Sequence, residues 1–168
     1  FGLCRALFCT VHCYTNSQNL VDMAHLDPRR ARAAAANIIP TTSDAIPSIG
    51  LVIPEVAGRI DGLAMRVPVA AGSLVDFIAL LQRPATIGQI AAAFRAAAAG
   101  DLAGIMGVSE EELVSADFIG DPRSAVIDLP LLQQVDERLV RVVAWYDNEW
   151  GYANRLADLV SYVGERLL

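Results

Sequence analysis

Residues 6–14, Ala-Leu-Phe-Cys-Thr-Val-His-Cys-Tyr, constrain the fold more than any other stretch of this chain. β-branched and aromatic side chains dominate it and alternate with period two, which predicts a strand. Alternation sets Thr10, His12 and Tyr14 on one face and Cys9, Val11 and Cys13 on the other. The cysteine face is expected to be a small core, and the other carries an imidazole beside hydroxyls. A lone histidine on a strand is more often a satisfied structural residue than a catalyst. What favours chemistry here is the arginine cluster beyond the next loop, Arg29, Arg30 and Arg32. A titratable imidazole near several guanidiniums suits an anionic substrate.

Size and composition point to one domain spanning 1–168 with a core of its own. Apolar residues make up 54% of the chain, but the apolar runs are interrupted, so neither a membrane span nor disorder is expected. Residues 1–11 lack the basic start and the small-residue cleavage site of a signal peptide. Three cysteines, clustered at Cys4, Cys9 and Cys13, argue against a disulfide framework and for a reducing, cytoplasmic setting. A metal site is disfavoured, since alternation separates Cys9 and Cys13 from His12. A net charge of −6 disfavours nucleic-acid and membrane-surface partners. All thirteen basic residues are arginine, so no lysine is present to form a Schiff base.

Downstream, Thr15 to Pro28 has no clean period and reads as a long ordered loop, a class that tends to carry function. Arg29 to Ala36 is helical or turn-like, and Asn37 to Pro40 resembles a strand end. The hydroxyl-rich turn Thr41-Thr42-Ser43-Asp44 suits either a phosphate or a plain helix N-cap, with equal weight. A short apolar helix fits between Pro47 and Pro54. Gly62–Pro68 and Ser73–Leu80 read as strands. Arg66 sits inside the first of these and needs a carboxylate or a bound anion. Thr86 caps a helix from Ile87 to Ala99 that closes at Gly100. Ser109-Glu110-Glu111-Glu112 reads as a second N-cap with an acidic first turn. Ser124–Asp128 and Leu139–Tyr146 read as strands. A terminal amphipathic helix carries a stripe of Leu156, Leu159, Val160, Val163 and Leu167. No repeat and no glycine-rich dinucleotide fingerprint interrupts the pattern.

Four stretches together are similar to one family. They are Thr10–Thr15, Arg29–Pro40, Arg66-Val67-Pro68 and the run Trp145-Tyr146-Asp147-Asn148-Glu149-Trp150-Gly151-Tyr152. In order and spacing they resemble the C-terminal catalytic half of glyceraldehyde-3-phosphate dehydrogenase, over essentially the whole chain. The resemblance implies an α+β domain, a large mixed and mostly antiparallel sheet with helices on one face. It implies NAD- or NADP-dependent oxidation of an aldehyde phosphate through a cysteine thioester, resolved by inorganic phosphate. On the same resemblance His12 matches the general base. Thr15, Arg29, Arg66 and Ser43 match positions that hold phosphate. Asn148 matches the residue that bonds the nicotinamide carboxamide, with Tyr152 beside it. Thr15 to Pro28 resembles the loop that packs on a neighbouring subunit near the cofactor, so a homo-oligomer is expected.

The sequence also departs from that family. Its nucleophile lies in a Ser-Cys-Thr-Thr-Asn motif that this chain lacks, and the Rossmann half is absent. Cys9 and Cys13 are expected to face away from His12, and Cys4 lies roughly 26 Å along an extended strand. Ser43-Asp44 stands where the family has Thr-Gly, and Pro47 stands in place of a lysine. Asp44 would oppose a second phosphate at a cost of about 1 kcal/mol at 4 Å in water. Val69-Ala70-Ala71-Gly72 replaces Thr-Pro-Asn-Val. Three readings follow: half of an enzyme whose partner chain carries the Rossmann portion, a degenerate phosphate-binding or assembly domain, and a relative with a changed acceptor or aldehyde.

Overall fold

A computed structural model describes residues 1–43 and 45–167. Its strands are β1 (Leu3–Cys13), β2 (Ile39–Thr41), β3 (Ile60–Val67), β4 (Ser73–Leu81), β5 (Met106–Ser109), β6 (Ala125–Asp128), β7 (Gln133–Val135) and β8 (Leu139–Tyr146). The helices are α1 (Ala45–Val52), α2 (Ile87–Ala99) and α3 (Trp150–Leu167). Seven strands lie in the order β2-β3-β1-β4-β8-β6-β5, with β7 paired to β8. The β1/β3 and β5/β6 pairings are parallel and the others antiparallel. This is the mixed, mostly antiparallel α+β sheet expected from the sequence.

β1 starts earlier than the sequence pattern implies and stops one residue sooner, at Cys13. Over residues 6–11 its buried side is the reverse of the expected one, whereas Cys13 at the strand's end is buried as expected. Ala6, Phe8 and Thr10 are buried, while Leu7 is 63% exposed and Cys9 and Val11 are half-buried. The neighbours explain this. Ala6, Phe8 and Thr10 pair with Ala79, Phe77 and Val75 of β4, which pair in turn with Val140, Val142 and Ala144 of β8. α2 lies over that side, with Ile90, Ala91 and Phe94 against Val140 and Val142. Gly62 faces Phe8 across the ladder, where a Cβ would run into the Phe8 carbonyl oxygen.

α2 follows the sequence closely: Thr86 Oγ1 accepts from the Gln89 N–H at 3.2 Å, and the Gln89 side chain accepts from the Thr86 N–H at 2.9 Å. The acidic run at 110–112 does not begin a helix. Ser109 ends β5, and its hydroxyl accepts from the Glu111 N–H at 3.2 Å, a local turn that satisfies the donor without a following helix. β5 and β7 carry too few residues for a periodic signal. α3 forms over the expected residues, yet its stripe is open: Leu159 is 54% exposed and Val160 72%.

Candidate functional site

The site lies where β1, β3 and the end of β8 meet. His12 pairs directly with Arg66 in the parallel β1/β3 ladder. Arg66 Nη1 lies 2.6 Å from His12 Nδ1 and donates to the Cys13 carbonyl at 3.1 Å. Among the described residues, Arg66 has no carboxylate partner, and its buried Nε has no hydrogen-bond partner. Arg30 lies close enough to oppose its charge: burial first, then Arg30, draws the Arg66 pKa down against the opposing pull of Cys13 and Tyr146. Arg30 itself reaches Thr41 Oγ1 through Nη2 at 2.6 Å and Nε at 3.0 Å. Two guanidiniums, Arg66 against His12 and Arg30 near Arg66, therefore meet at this end of the strands.

The third strand contributes Tyr146 and, just past it, Asn148. The Tyr146 ring meets the His12 ring edge-on at 6.2 Å. Burial pushes the Tyr146 phenol up to about 12, against the opposing effect of its Ser73 hydrogen bond, so it stays neutral. Asn148 Oδ1 accepts from Cys13 Sγ at 3.0 Å and from Ser73 Oγ at 3.3 Å. Two donors on the oxygen set the flip of the amide and leave Nδ2 on its far side. Asp147 holds this loop in place. Its Oδ1 accepts from the N–H groups of Glu149 and Trp150, at 3.0 and 2.8 Å, and its Oδ2 from that of Gly120 at 2.9 Å. Burial works to raise the Asp147 pKa, and those three backbone donors outweigh it, so the group lies below its ordinary value.

Cys13 corrects the expectation that it faces away from His12. Its Sγ lies 3.6 Å from His12 Nδ1. Alternation separates Cβ atoms, but here the ring folds along the chain toward the Cys13 carbonyl, 2.7 Å from Nδ1, and β1 ends at that residue. The thiol is 1% exposed, and burial pushes its pKa up despite Ser73, Arg66 and Asn148. It is a donor to Asn148 rather than an exposed thiolate.

The structure thus brings together His12, Arg66 and Asn148. The other expected residues are engaged nearer home. Thr15 Oγ1 bonds Ser17 and Gln18, at 3.0 and 3.1 Å. Ser43 Oγ accepts from the Ala45 N–H at 3.3 Å, at the start of α1. Arg29 is exposed, its N–H donating to Asp27 Oδ1 at 2.9 Å. Tyr152 is 66% exposed in the first turn of α3. Asp44, expected to repel a second phosphate, lies outside the described residues. Sequence reasoning missed Cys13, Ser73 and Tyr146 as members of the site. Ser73 and Tyr146 carry no local signal, because the pairing that joins them spans the β4/β8 ladder.

The sequence profile of the family described as glyceraldehyde 3-phosphate dehydrogenase, C-terminal domain, matches residues 1–148. The chain belongs to that family. It is 50% identical over 167 residues to the glyceraldehyde-3-phosphate dehydrogenase of Mycobacterium avium, covering 99% of this chain and 49% of the relative. The enzyme of the same name from Streptomyces coelicolor is 49% identical over 168 residues, with 99% and 50% covered. That of Mycolicibacterium smegmatis is 50% identical over 167 residues, with 99% and 49% covered. The chain therefore spans about half the length of these curated relatives. For a member of the glyceraldehyde 3-phosphate dehydrogenase family, the donor set fits one end of a nicotinamide dinucleotide. The orientation of the Asn148 amide presents an N–H donor suited to a carboxamide oxygen, with the exposed Tyr152 ring close by in sequence.

Proposed function

We propose that this chain supplies the base, the anion cradle and the nicotinamide-end contact of a dehydrogenase that acts on an aldehyde phosphate. The observation that carries this reading is the convergence of His12, Arg66 and Asn148 from three separate elements. Burial lowers the His12 pKa, with Arg66 adding to the effect against the Cys13 carbonyl, so the ring is neutral near pH 7. A neutral imidazole is the form that accepts a proton from a thiol or a hemithioacetal hydroxyl. Arg66 binds and orients the phosphate of the substrate as a charge-assisted donor, with Thr15, Arg29 and Ser43 as further phosphate contacts. Asn148 orients a nicotinamide ring by its carboxamide, and Tyr152 borders it. NAD or NADP bound there would take hydride from the substrate. The nucleophilic cysteine and the dinucleotide-phosphate cradle come from a Rossmann portion, in this protein or in a partner chain. A homo-oligomer fits the apolar residues left open on the sheet, and a cytoplasmic setting fits three free cysteines.

The test is complementation. The purified chain alone is expected to give no NADH from glyceraldehyde 3-phosphate and phosphate. Assembled with the first half of the Mycobacterium avium relative, it is expected to turn over. In that assembly His12→Ala should lower the rate by about 10²–10⁴-fold. Turnover by the chain alone, or an assembly indifferent to His12→Ala, overturns the reading.

A further inference from the structure

Two atoms, a guanidinium donor and a carbonyl acceptor, compete for one nitrogen of His12. Arg66 Nη1 lies 2.6 Å from Nδ1, the Cys13 carbonyl oxygen lies 2.7 Å from Nδ1, and Arg66 Nη1 is 3.1 Å from that same oxygen. A guanidinium only donates, and Nη1 carries two hydrogens, enough for both acceptors. When Nδ1 accepts from Arg66, the neutral ring must carry its one proton on Nε2. Nε2 is then a donor and takes no proton from a substrate. In the other tautomer Nδ1–H donates to the Cys13 carbonyl, at a distance already in place, and the lone pair moves to Nε2. The two arrangements exclude each other, because an N–H on Nδ1 cannot accept from Arg66.

We propose that Arg66 sets the tautomer of His12: resting on Nδ1 it silences Nε2, and drawn onto a bound anion it frees Nε2 as a base. The inference rests on the reading of Arg66 as an anion ligand and extends it, since the same side chain becomes a positioning residue for the base. Several observations make Arg66 ready to move. Its Nε is buried with no hydrogen-bond partner among the described residues, no described carboxylate pairs with it, and Arg30 opposes its charge. A phosphate-class anion satisfies all three at once. Of the other groups facing the ring, none donates to Nδ1: the Cys13 sulfur, 3.6 Å away, can only accept from an Nδ1–H. The Tyr146 phenol is neutral and lies edge-on, and the Cys13 thiol donates to Asn148. The proton count is unchanged: Nε2 gives one proton to water and Nδ1 takes one from water. The chemical consequence is order, since the base is armed only after the anionic substrate has arrived.

The chain has two histidines, so the readout is clean. The full chain is labelled with ¹⁵N-histidine, and His25→Gln, at an exposed position, assigns the signals by leaving a single imidazole. Nitrogen chemical shifts then report which ring nitrogen carries the proton. Without anion the Nε2–H form should dominate, and titration with inorganic phosphate should convert the majority to Nδ1–H. Arg66→Met should give the Nδ1–H form with no phosphate present. An anion-free wild type already in the Nδ1–H form, or a phosphate complex that keeps Nε2–H, overturns the proposal. Should Arg66→Met fail to fold, the wild-type titration decides alone. Phosphate that does not bind at all instead sinks the anion reading, and the Arg66→Met spectrum still decides the tautomer.

Discussion

The two faces of the sheet run through the same strands and have opposite fates. On one, Val140 packs against Ile90 and Ala91 of α2, and Phe8, Ala79 and Val140 are 7%, 4% and 2% exposed. On the other, Leu7 and Ile78 stand opposite each other at 63% and 43% exposed, and Arg141 holds Asp76 by two bonds of 2.8 and 2.7 Å. That open face is closed at one end only, where Phe118 stacks on Trp145 at 5.5 Å and the indole donates to buried Asp128 at 2.8 Å. The covered face carries one core cluster and the Phe118–Trp145 end of the other face a second, and the polar rim of the covered face holds His12. The open face leaves large apolar side chains such as Leu7 and Ile78 in solvent. The lesson is that apolar composition alone does not say which side of a strand is core; the neighbour laid over it does.

The contrast breaks most visibly at adjacent residues of β1. Phe8→Ala should cost about 3–5 kcal/mol of unfolding free energy, from the lost ring and the cavity left on the buried side of β1. Leu7→Arg should cost less than about 0.5 kcal/mol in the dispersed chain, and instead disperse oligomers in light scattering. Equal costs in urea titration would mean that both faces are covered. Trp145→Phe sharpens the exception on the open face. It keeps the ring stack and removes the donor to Asp128, so it should cost about 1–3 kcal/mol, most of it from the stranded carboxylate.

The smallest effect is one of pH, at the rim. The folded His12 pKa lies below its ordinary 6.5, so between the folded value and 6.5 the unfolded chain binds a proton that the folded chain refuses. Stability should therefore fall as pH drops through that window and be insensitive to His12 above it. In His12→Gln that part of the slope should vanish from urea midpoints measured across pH. A slope of opposite sign would place a carboxylate beside the ring.

Much of this was legible in the sequence, and the failures have physical causes. The His12, Arg66 and Asn148 stretches were readable because each lies on or beside a strand with a strong local pattern. That His12 stands opposite Arg66 was not, because a parallel pairing across 54 residues leaves no local trace. Ser109 to Glu112 deceived because a hydroxyl accepting a nearby N–H looks the same in a cap as in a turn. Cys13 was misplaced because alternation speaks for Cβ directions within a strand, and Cys13 is where the strand stops.

The strand order bears on how the site is held. β1 is bonded on both edges, by β3 and β4, and β3 likewise by β2 and β1. Asn148 belongs to no strand; it rides on the turn between β8 and α3, moored by the carboxylate of Asp147. Mechanically, the site is a vice with two fixed jaws and a third on a pivot. Pull on the helix, and the amide moves while the imidazole stays.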